Sequence, residues 1–334
     1  MSTPQDKKFS ELGKGLIHFN SNQRKKYLKQ VEELLSHKAK DFDHEDFFKL
    51  WIVLFFALWN ADGPQASQEL SLTFSKLLYK VPKKSIGVWM DAFWFTLQKE
   101  WNKLDKYRVE KFQLLIRLFL TETFLFLRQN QWDSKMIEFA TSSWVYGPIN
   151  GVQTTNVVGV VYQLIDVFME VLRPIAENDK NFTPSTLLLL IHDFILALVK
   201  GSHSGVAEKV HMQIIGKLKA ENENEVEQVA KCLFRYGSLG EKGVRIKRVF
   251  RSIEVLDKAL SKVNKKVDYE HLIEDIRSKS IGIKENLTSE QMKASSQQCK
   301  KTKNKRLRKI KRHVRLTYCT RRRRIFKRQA STKL

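Results

Sequence analysis

Cysteine is scarce in this 334-residue chain, and its three residues, Cys232, Cys299 and Cys319, are widely separated. Their spacing fits neither a disulfide framework nor the paired CxxC ligands of a zinc site. We therefore expect a reducing environment, such as the cytosol or the nucleus, and no structural metal.

Long apolar runs are also missing from the sequence. The most apolar stretch, from Leu50 to Trp59, has ten residues without a polar side chain, whereas a membrane-spanning helix needs roughly 20. The first residues, MSTPQDKKFSELGKG, lack the apolar centre of a signal peptide. The sequence thus predicts a soluble protein with buried helices and no membrane partner.

Motifs that mark common catalytic sites are not found either. There is no phosphate-binding G-x-x-x-x-G-K-[ST] loop and no HExxH metal motif. GSHSG at 201–205 has His203 where a nucleophile elbow requires serine, so we interpret it as a turn. The acidic run at 41–46 is typical of a helix start. We predict no catalytic residue, no metal site, no cofactor and no small-molecule substrate, and hence no enzyme.

Negative charge is lacking throughout one long and strongly basic segment. Residues 291–334 carry 18 Lys and Arg and no Asp or Glu, whereas residues 1–290 carry 42 basic and 36 acidic side chains. The net charge of +24 is therefore concentrated in this segment. Because a block of one charge sign repels itself and buries little apolar area, we predict a disordered basic tail.

The predicted tail has the chemistry to bind a polyanion. Lys and Arg neutralise phosphates and release counterions, and Arg also stacks on bases. RNA binding and a nuclear import signal are compatible interpretations. The simplest alternative is a solvated tail that serves only as a targeting signal. A membrane-surface or calmodulin-type helix is disfavoured by its thin apolar stripe. The candidate RNA-binding and nuclear-localisation residues are Lys300, Lys301, Lys303, Lys305, Arg306, Arg308, Lys309, Lys311, Arg312, Arg315, Arg321, Arg322, Arg323, Arg324, Lys327 and Arg328.

Helical periodicity dominates the chain before the tail. Apolar residues such as Phe112, Leu115, Ile116 and Phe119 recur at three- and four-residue steps. Residues 150–163 contain β-branched side chains suited to a short strand, but we prefer a loop leading into a helix. The pattern predicts helices near 21–38, 44–59, 65–80, 85–101, 105–129, 131–141, 155–173, 183–200, 203–217, 223–236, 242–264 and 268–280.

Paired helices joined by short turns predict an all-α fold, namely a HEAT- or armadillo-like α-solenoid followed by the disordered basic tail. A compact irregular bundle is the structural alternative. We expect a flexible N-terminus at 1–18 and a helical-repeat domain at 19–220. Further helices at 221–290 would complete or extend the solenoid, and the basic tail would follow at 291–334.

Two stretches carry a family resemblance. FFKLWIVLFFALWNADGPQASQELS at 47–71 and DAFWFTLQKEWNKLDKYRVEKFQLLIRLFL at 91–120 resemble the signature of the eukaryotic ribosomal RNA processing protein 1 family. Members of that family are nucleolar factors of large-subunit assembly, and the resemblance covers roughly residues 19–220. The matching residues are Leu50, Trp51, Leu54, Phe55, Trp59, Asp62, Pro64, Gln68, Glu69 and Leu70, followed by Phe93, Trp94, Glu100, Trp101, Leu104, Asp105, Arg108, Lys111 and Phe112.

The resemblance implies a non-catalytic factor of the nucleus and nucleolus that binds pre-60S particles and supports processing of the large-subunit rRNA precursor. Its implied partners are pre-rRNA, other large-subunit assembly factors (a Brix-domain protein, for example) and a nuclear import receptor. The alternative is a helical-repeat adaptor for nuclear transport or chromatin, in which the basic tail acts only as an import signal.

We interpret the signature residues mainly as architecture. The four tryptophans would be buried between helices, and Asp62 would cap or brace the turn into the next helix. Asp105, Arg108 and Lys111 would form a charge set within one helix or contact a partner, and both interpretations stay open. The signature residues with a structural or interface role are Trp51, Trp59, Asp62, Pro64, Trp94, Trp101, Asp105, Arg108 and Lys111.

Overall fold

The computed structural model describes residues 4–149, 157–238, 244–269 and 271–272. The chain divides into two units, residues 1–269 and 270–334, and the α-helices of the described residues belong to the first. The described residues form helices and contain no β-strand. The α-helices are α1 (Pro4–Leu16), α2 (Ser21–Lys38), α3 (His44–Trp59), α4 (Pro64–Lys76), α5 (Ile86–Glu100), α6 (Val109–Gln129), α7 (Ser134–Trp144), α8 (Gly159–Ala176), α9 (Pro184–Lys200), α10 (Ser204–Gln213), α11 (Glu223–Ser238) and α12 (Ile246–Ser261).

The helices stack in two layers. In one layer α3 packs on α5, α5 on α7, α7 on α9 and α9 on α11, whereas in the other α4 packs on α6, α6 on α8 and α8 on α10. At one end α1 packs on α2 and α3, and at the other α12 packs on α11 and α9. Alternation of successive helices between two layers is the arrangement of an α-solenoid. The predicted all-α solenoid is therefore confirmed for the described residues.

Local sequence signals explain where several helices begin. Asp43 caps α3 because its Oδ1 accepts a hydrogen bond from the Asp46 backbone N–H at 2.9 Å, and the Asp46 side chain accepts one in return. Thr183 caps α9 in the same way, with Pro184 at the first helical position. His203 caps α10 through Nδ1, which accepts from the Val206 N–H at 3.2 Å. The predictions of a helix start at 41–46 and a turn at 201–205 are confirmed.

An aromatic cluster forms the core of the N-terminal half, α1 to α7. The Trp51 ring lies 4.5 Å from the Trp89 ring and 4.9 Å from Phe93, measured between ring centroids. Phe93 stacks on Phe119 at 3.7 Å, which joins the two layers. All four side chains are buried, and each such pair contributes about 0.5–1.5 kcal/mol beyond the burial of apolar area.

The C-terminal half, α8 to α12, is held differently. Its core is mainly aliphatic, and ion pairs across the helix surfaces join neighbouring helices in one layer. Lys209 of α10 pairs with Asp166 of α8 at 2.5 Å, and Arg251 of α12 pairs with Glu208 of α10 at 2.8 Å. A third pair, Arg117–Glu170 at 2.8 Å, joins α6 to α8 across the boundary between the halves.

The N-terminal segment differs from the prediction. The sequence indicates a flexible N-terminus at 1–18, whereas Pro4–Leu16 form α1 and bury Phe9, Leu12 and Leu16 against neighbouring helices. These apolar residues have helical spacing, but Gly13 and Gly15 weaken the intrinsic helix propensity. Tertiary packing therefore decides the structure of this segment.

A smaller difference concerns the start of α6, and one further prediction is confirmed at the start of α8. The predicted helix at 105–129 begins only at Val109, because a turn occupies the preceding residues. The start of α8 at Gly159 confirms the helical interpretation for 159–163. Residues 150–156, the predicted tail and most of the predicted helix at 268–280 lie outside the described residues. Within the described part of the chain, no helix has the length and apolarity needed to cross a bilayer.

Candidate functional site

The two signature stretches meet where α3 ends and α6 begins. Five signature residues come together there, and we term this cluster the α3–α6 corner. Trp59 ends α3, and Asp62 lies in the turn that follows. Asp105 and Arg108 lie in the turn before α6, and Lys111 lies in its first turn. Residues about 50 positions apart in sequence thus form one cluster.

Lys111 joins the two helices. Its Nζ donates hydrogen bonds to the backbone carbonyls of Trp59 at 2.8 Å and Ala61 at 3.0 Å. Carbonyls at a helix C-terminus lack intrahelical donors and carry partial negative charge, so a cation there is favourable. Burial lowers the pKa of Lys111 and the Arg108 charge lowers it further, whereas Asp62 and Asp105 oppose the change. Lys111 therefore acts as a C-terminal cap supplied by a neighbouring helix.

Asp105 organises the turn into α6. Its Oδ1 accepts hydrogen bonds from the backbone N–H groups of Tyr107 at 3.0 Å and Arg108 at 2.9 Å, and its carboxylate pairs with the Arg108 guanidinium. Desolvation raises the pKa of Asp105, but these hydrogen bonds and the Arg108 charge outweigh it, so the pKa lies below its ordinary value. The predicted charge set within one helix is thus corrected, because two of its members precede α6.

The rim of the corner presents aromatic and cationic side chains to solvent. The Arg108 guanidinium carbon lies 4.9 Å from the centroid of the half-exposed Trp59 ring. Phe56, which is 40 % exposed, lies 6.1 Å from Trp59 between ring centroids. Tyr107 is 79 % exposed, with the Lys106 ammonium 4.8 Å from its ring centroid. Aromatic residues and arginine are the side chains that contribute most to protein–protein interfaces.

The other signature tryptophans pack inside the stack. Trp51 is 2 % exposed, and its Nε1–H donates to the carbonyl of Trp89 at 3.1 Å. Trp94 is buried against Gly147, where an added Cβ would lie 2.6 Å from the Trp94 Cβ. The half-buried Trp101 lies over Gly159, the first residue of α8, and leaves no room for a Cβ there. Trp59 and Trp101 are therefore less buried than the sequence predicts.

Asp62 does not cap α4. Gly63 occupies the N-cap position with φ of +80°, no side chain caps the first turn, and Pro64 is the first helical residue. The left-handed conformation favours glycine, which leaves Asp62 one residue outside the cap. Asp62 and Pro64 are both exposed, and Asp62 acts on the corner through its charge near Lys111.

Sequence reasoning missed several residues of this region. Gly147 packs against Trp94 and Gly159 against Trp101, and both tryptophans come from earlier in the chain. The exposed rim residues Phe56 and Tyr107 match no signature position. Only exposure and tertiary contact identify them.

The 16 candidate basic residues from Lys300 to Arg328 lie outside the described residues. In the ranges that the structure describes, no three His, Cys, Asp or Glu side chains form a group that could hold a metal ion.

Two layers of paired helices, with a rim of aromatic and cationic side chains at the α3–α6 corner, define a helical-repeat protein. Comparison with known proteins gives the family. The family described as "Nucleolar protein, Nop52" matches residues 7–327, a range that includes most of α1 and most of the basic segment. The chain therefore belongs to the Nop52 family of nucleolar proteins.

Relatives with curated names agree with this assignment. The chain is 27% identical over 157 residues to human "Ribosomal RNA processing protein 1 homolog A", which covers 46% of this chain and 34% of the relative. It is 27% identical over 164 residues to human homolog B, covering 47% of this chain and 21% of the relative. The Dictyostelium discoideum homolog is 28% identical over 189 residues, which covers 51% of this chain and 38% of that protein. These alignments thus span well under half of each relative.

Proposed function

We propose that this chain is a non-catalytic ribosome-biogenesis factor of the nucleolus that binds pre-60S particles and supports processing of the large-subunit rRNA precursor. The observation that carries this proposal is the match to the Nop52 family over residues 7–327. The relatives named as ribosomal RNA processing proteins support the choice of RNA pathway.

In this proposal the helical body and the basic segment have different partners. The body is nearly balanced in charge, so its specificity comes from shape and from the rim of the α3–α6 corner, which docks on other assembly factors such as a Brix-domain protein. The segment at 291–334, with 18 basic and no acidic residues, binds pre-rRNA phosphates and is read by a nuclear import receptor.

Sedimentation tests the proposal directly. We expect the tagged full chain to co-sediment with particles that contain large-subunit rRNA precursors, and we expect depletion of the protein to increase those precursors. Absence of the full chain from every pre-ribosomal fraction would refute the proposed function. Purified protein incubated with RNA and Mg²⁺ should leave the RNA intact, because we propose no catalytic role.

Deletion of residues 291–334, with an unrelated nuclear import signal supplied, separates the two binding modes. If the body still co-sediments with pre-ribosomes, docking on proteins dominates; if it is released, the basic segment is the anchor. The competing adaptor for nuclear transport or chromatin, whose tail serves only for import, predicts that neither the full chain nor the body enters these particles.

A surface variant tests the docking rim. Tyr107→Ala removes an aromatic ring that is 79 % exposed, so we expect fewer assembly factors to co-purify while the melting temperature stays unchanged. Leu189→Ala on α9 is the matched control, because Leu189 is 52 % exposed but lies outside the rim. Equal co-purification by the two variants would exclude Tyr107 from the docking surface.

A further inference from the structure

The loop between α1 and α2 holds the most exposed aromatic side chain in the described part of the chain. Phe19 is 89 % exposed. Its ring stacks on the His18 imidazole, with ring centroids 4.4 Å apart and an angle of 28° between the planes. One face of the phenyl ring is thus supported by His18, and the opposite face is open to solvent. A ring in this position contributes little to the folded core.

Hydrogen bonds hold this loop in one conformation. Arg24 Nη1 donates to the carbonyl oxygens of His18 and Phe19, both at 2.8 Å. His18 Nδ1 accepts from the Asn20 backbone N–H at 3.1 Å, and Asn20 Oδ1 caps α2 by accepting from the Asn22 N–H at 2.8 Å. Because the exposed ring is already positioned, little conformational entropy is lost when a ligand stacks on it.

The surrounding segment is cationic. Residues 12–31 contain five basic side chains and no Asp or Glu, although the body as a whole is nearly balanced. Four lysines of this segment are exposed, and none forms an ion pair with another residue that the structure describes. They are Lys14, Lys25, Lys26 and Lys29. Elsewhere in the body, the exposed lysines Lys80 and Lys103 do pair with carboxylates, those of Glu32 and Glu100.

We propose that the His18–Phe19 loop and the first turns of α2 bind single-stranded RNA. One base stacks on the open face of Phe19, and Lys25, Lys26 and Lys29 neutralise the adjacent phosphates. Aromatic rings beside a cationic surface are the usual means of holding unpaired nucleotides. The absence of acidic residues over 20 positions favours this polyanion over a protein partner. The inference rests on the proposed function and adds an RNA site distinct in sequence from residues 291–334.

Binding of the full chain to labelled oligo(A), compared with an RNA duplex of equal length, tests base stacking. Phe19→Ala should weaken binding of the single strand by roughly 5- to 150-fold, which corresponds to about 1–3 kcal/mol for one stacked base, and leave duplex affinity unchanged. Phe19→Tyr should retain single-strand affinity because it keeps the ring, whereas Phe19→Leu should lose it. Leu189→Ala is the matched control, since it removes an exposed apolar side chain outside the cationic segment.

Salt dependence tests the role of the lysines. In the variant Lys25→Gln, Lys26→Gln, Lys29→Gln, three phosphate contacts are lost. The slope of log affinity against log salt concentration for oligo(A) should therefore fall by about 2, since each contact to a single strand contributes about 0.7. An unchanged slope would remove these lysines from the RNA site.

The outcomes separate this inference from the proposed function. If Phe19→Ala binds the single strand as tightly as the wild type, or weakens single strand and duplex equally, base stacking on Phe19 is refuted. If Phe19→Ala leaves RNA binding intact but releases the chain from pre-ribosomes, the loop contacts a protein and the RNA site is again refuted. The proposed function fails by a different result, namely the absence of the wild-type chain from those particles.

Discussion

The N-terminal and C-terminal halves of the helical stack are stabilised by different interactions. In α1 to α7, large aromatic side chains such as Trp51 and Phe93 fill the space between the layers. In α8 to α12, exposed ion pairs such as Arg251–Glu208 join helices over an aliphatic core. Apolar burial involves no ionised group and therefore depends little on pH, whereas exposed ion pairs contribute roughly 0–1 kcal/mol each and weaken in acid. The two halves of the stack can therefore lose different amounts of stability when the pH is lowered.

The largest effect is expected from the aromatic core. Trp51→Ala removes a buried indole and its hydrogen bond to Trp89, so we expect a loss of about 3–5 kcal/mol in the free energy of unfolding. Thermal unfolding measures the loss as a decrease of roughly 10 °C in melting temperature. Trp59→Ala is the matched control, since Trp59 is half-exposed and should cost clearly less. Equal losses would contradict the burial difference.

A second prediction concerns the contact that joins the two halves. In Gly159→Ala the added Cβ overlaps the Trp101 indole, and we expect a destabilisation of about 1–3 kcal/mol from overpacking. Gly159→Ala combined with Trp101→Leu should recover part of this loss, because the smaller side chain leaves room for the methyl group. Chemical denaturation of the wild type, both single variants and the double variant measures the coupling; additive losses would refute the contact.

A third and smaller effect is expected at the α3–α6 corner. Lys111→Met keeps the aliphatic stem but leaves the Trp59 and Ala61 carbonyls without their donor. We expect a loss of about 1–2 kcal/mol in urea unfolding, since Lys111 is only partly buried. Lys106→Met serves as the control, because this exposed lysine contacts only the Tyr107 ring. If both variants unfold at the same urea concentration, the cap is not stabilising.

The smallest expected effect is a loss of stability in acid that differs between the two halves. Hydrogen bonds from Arg117 and Arg251 lower the pKa of Glu170 and Glu208 respectively. With a folded-state pKa below the unfolded value of about 4.3, each glutamate stabilises the fold above that pH. This contribution is lost as the pH falls through the folded-state pKa.

All seven tryptophans lie between Trp51 and Trp144, so indole fluorescence reports the N-terminal half together with the contacts that Trp132 and Trp144 make to the C-terminal half, while circular dichroism reports all helices. During acid titration we expect the helical signal to decrease slightly before the fluorescence changes. Coincident transitions would show that the two halves unfold as one unit. High salt at neutral pH should weaken the same ion pairs and is an independent check.

Sequence patterns predicted the parts of the fold that are determined locally. Apolar periodicity and capping residues gave α2 and α3 with the observed bounds, because both signals act within a few residues. α1 escaped prediction because packing on α2 and α3, rather than propensity, stabilises it. Asp62 was expected to cap or brace the turn into α4, but Gly63, in the left-handed conformation, occupies the N-cap position.

The candidate sites depended more strongly on tertiary structure. The tryptophans and charged residues of the corner were recognisable as a signature, but the hydrogen bonds from Lys111 to α3 span about 50 residues of sequence. No local pattern reports such a contact. The same holds for the exposure of Phe19, since the apolar residues just before it include both the buried Leu16 and the half-exposed Ile17.

The alternation of helices between two layers has a consequence for how the chain acquires its structure. The principal contacts of each helix are with helices at most three positions away in the chain. Loop-closure entropy is therefore small at every step, and such topologies fold quickly. During synthesis each new helix can pack on its predecessors soon after it leaves the ribosomal exit tunnel, so no early segment has to wait in an unfolded state for a distant partner.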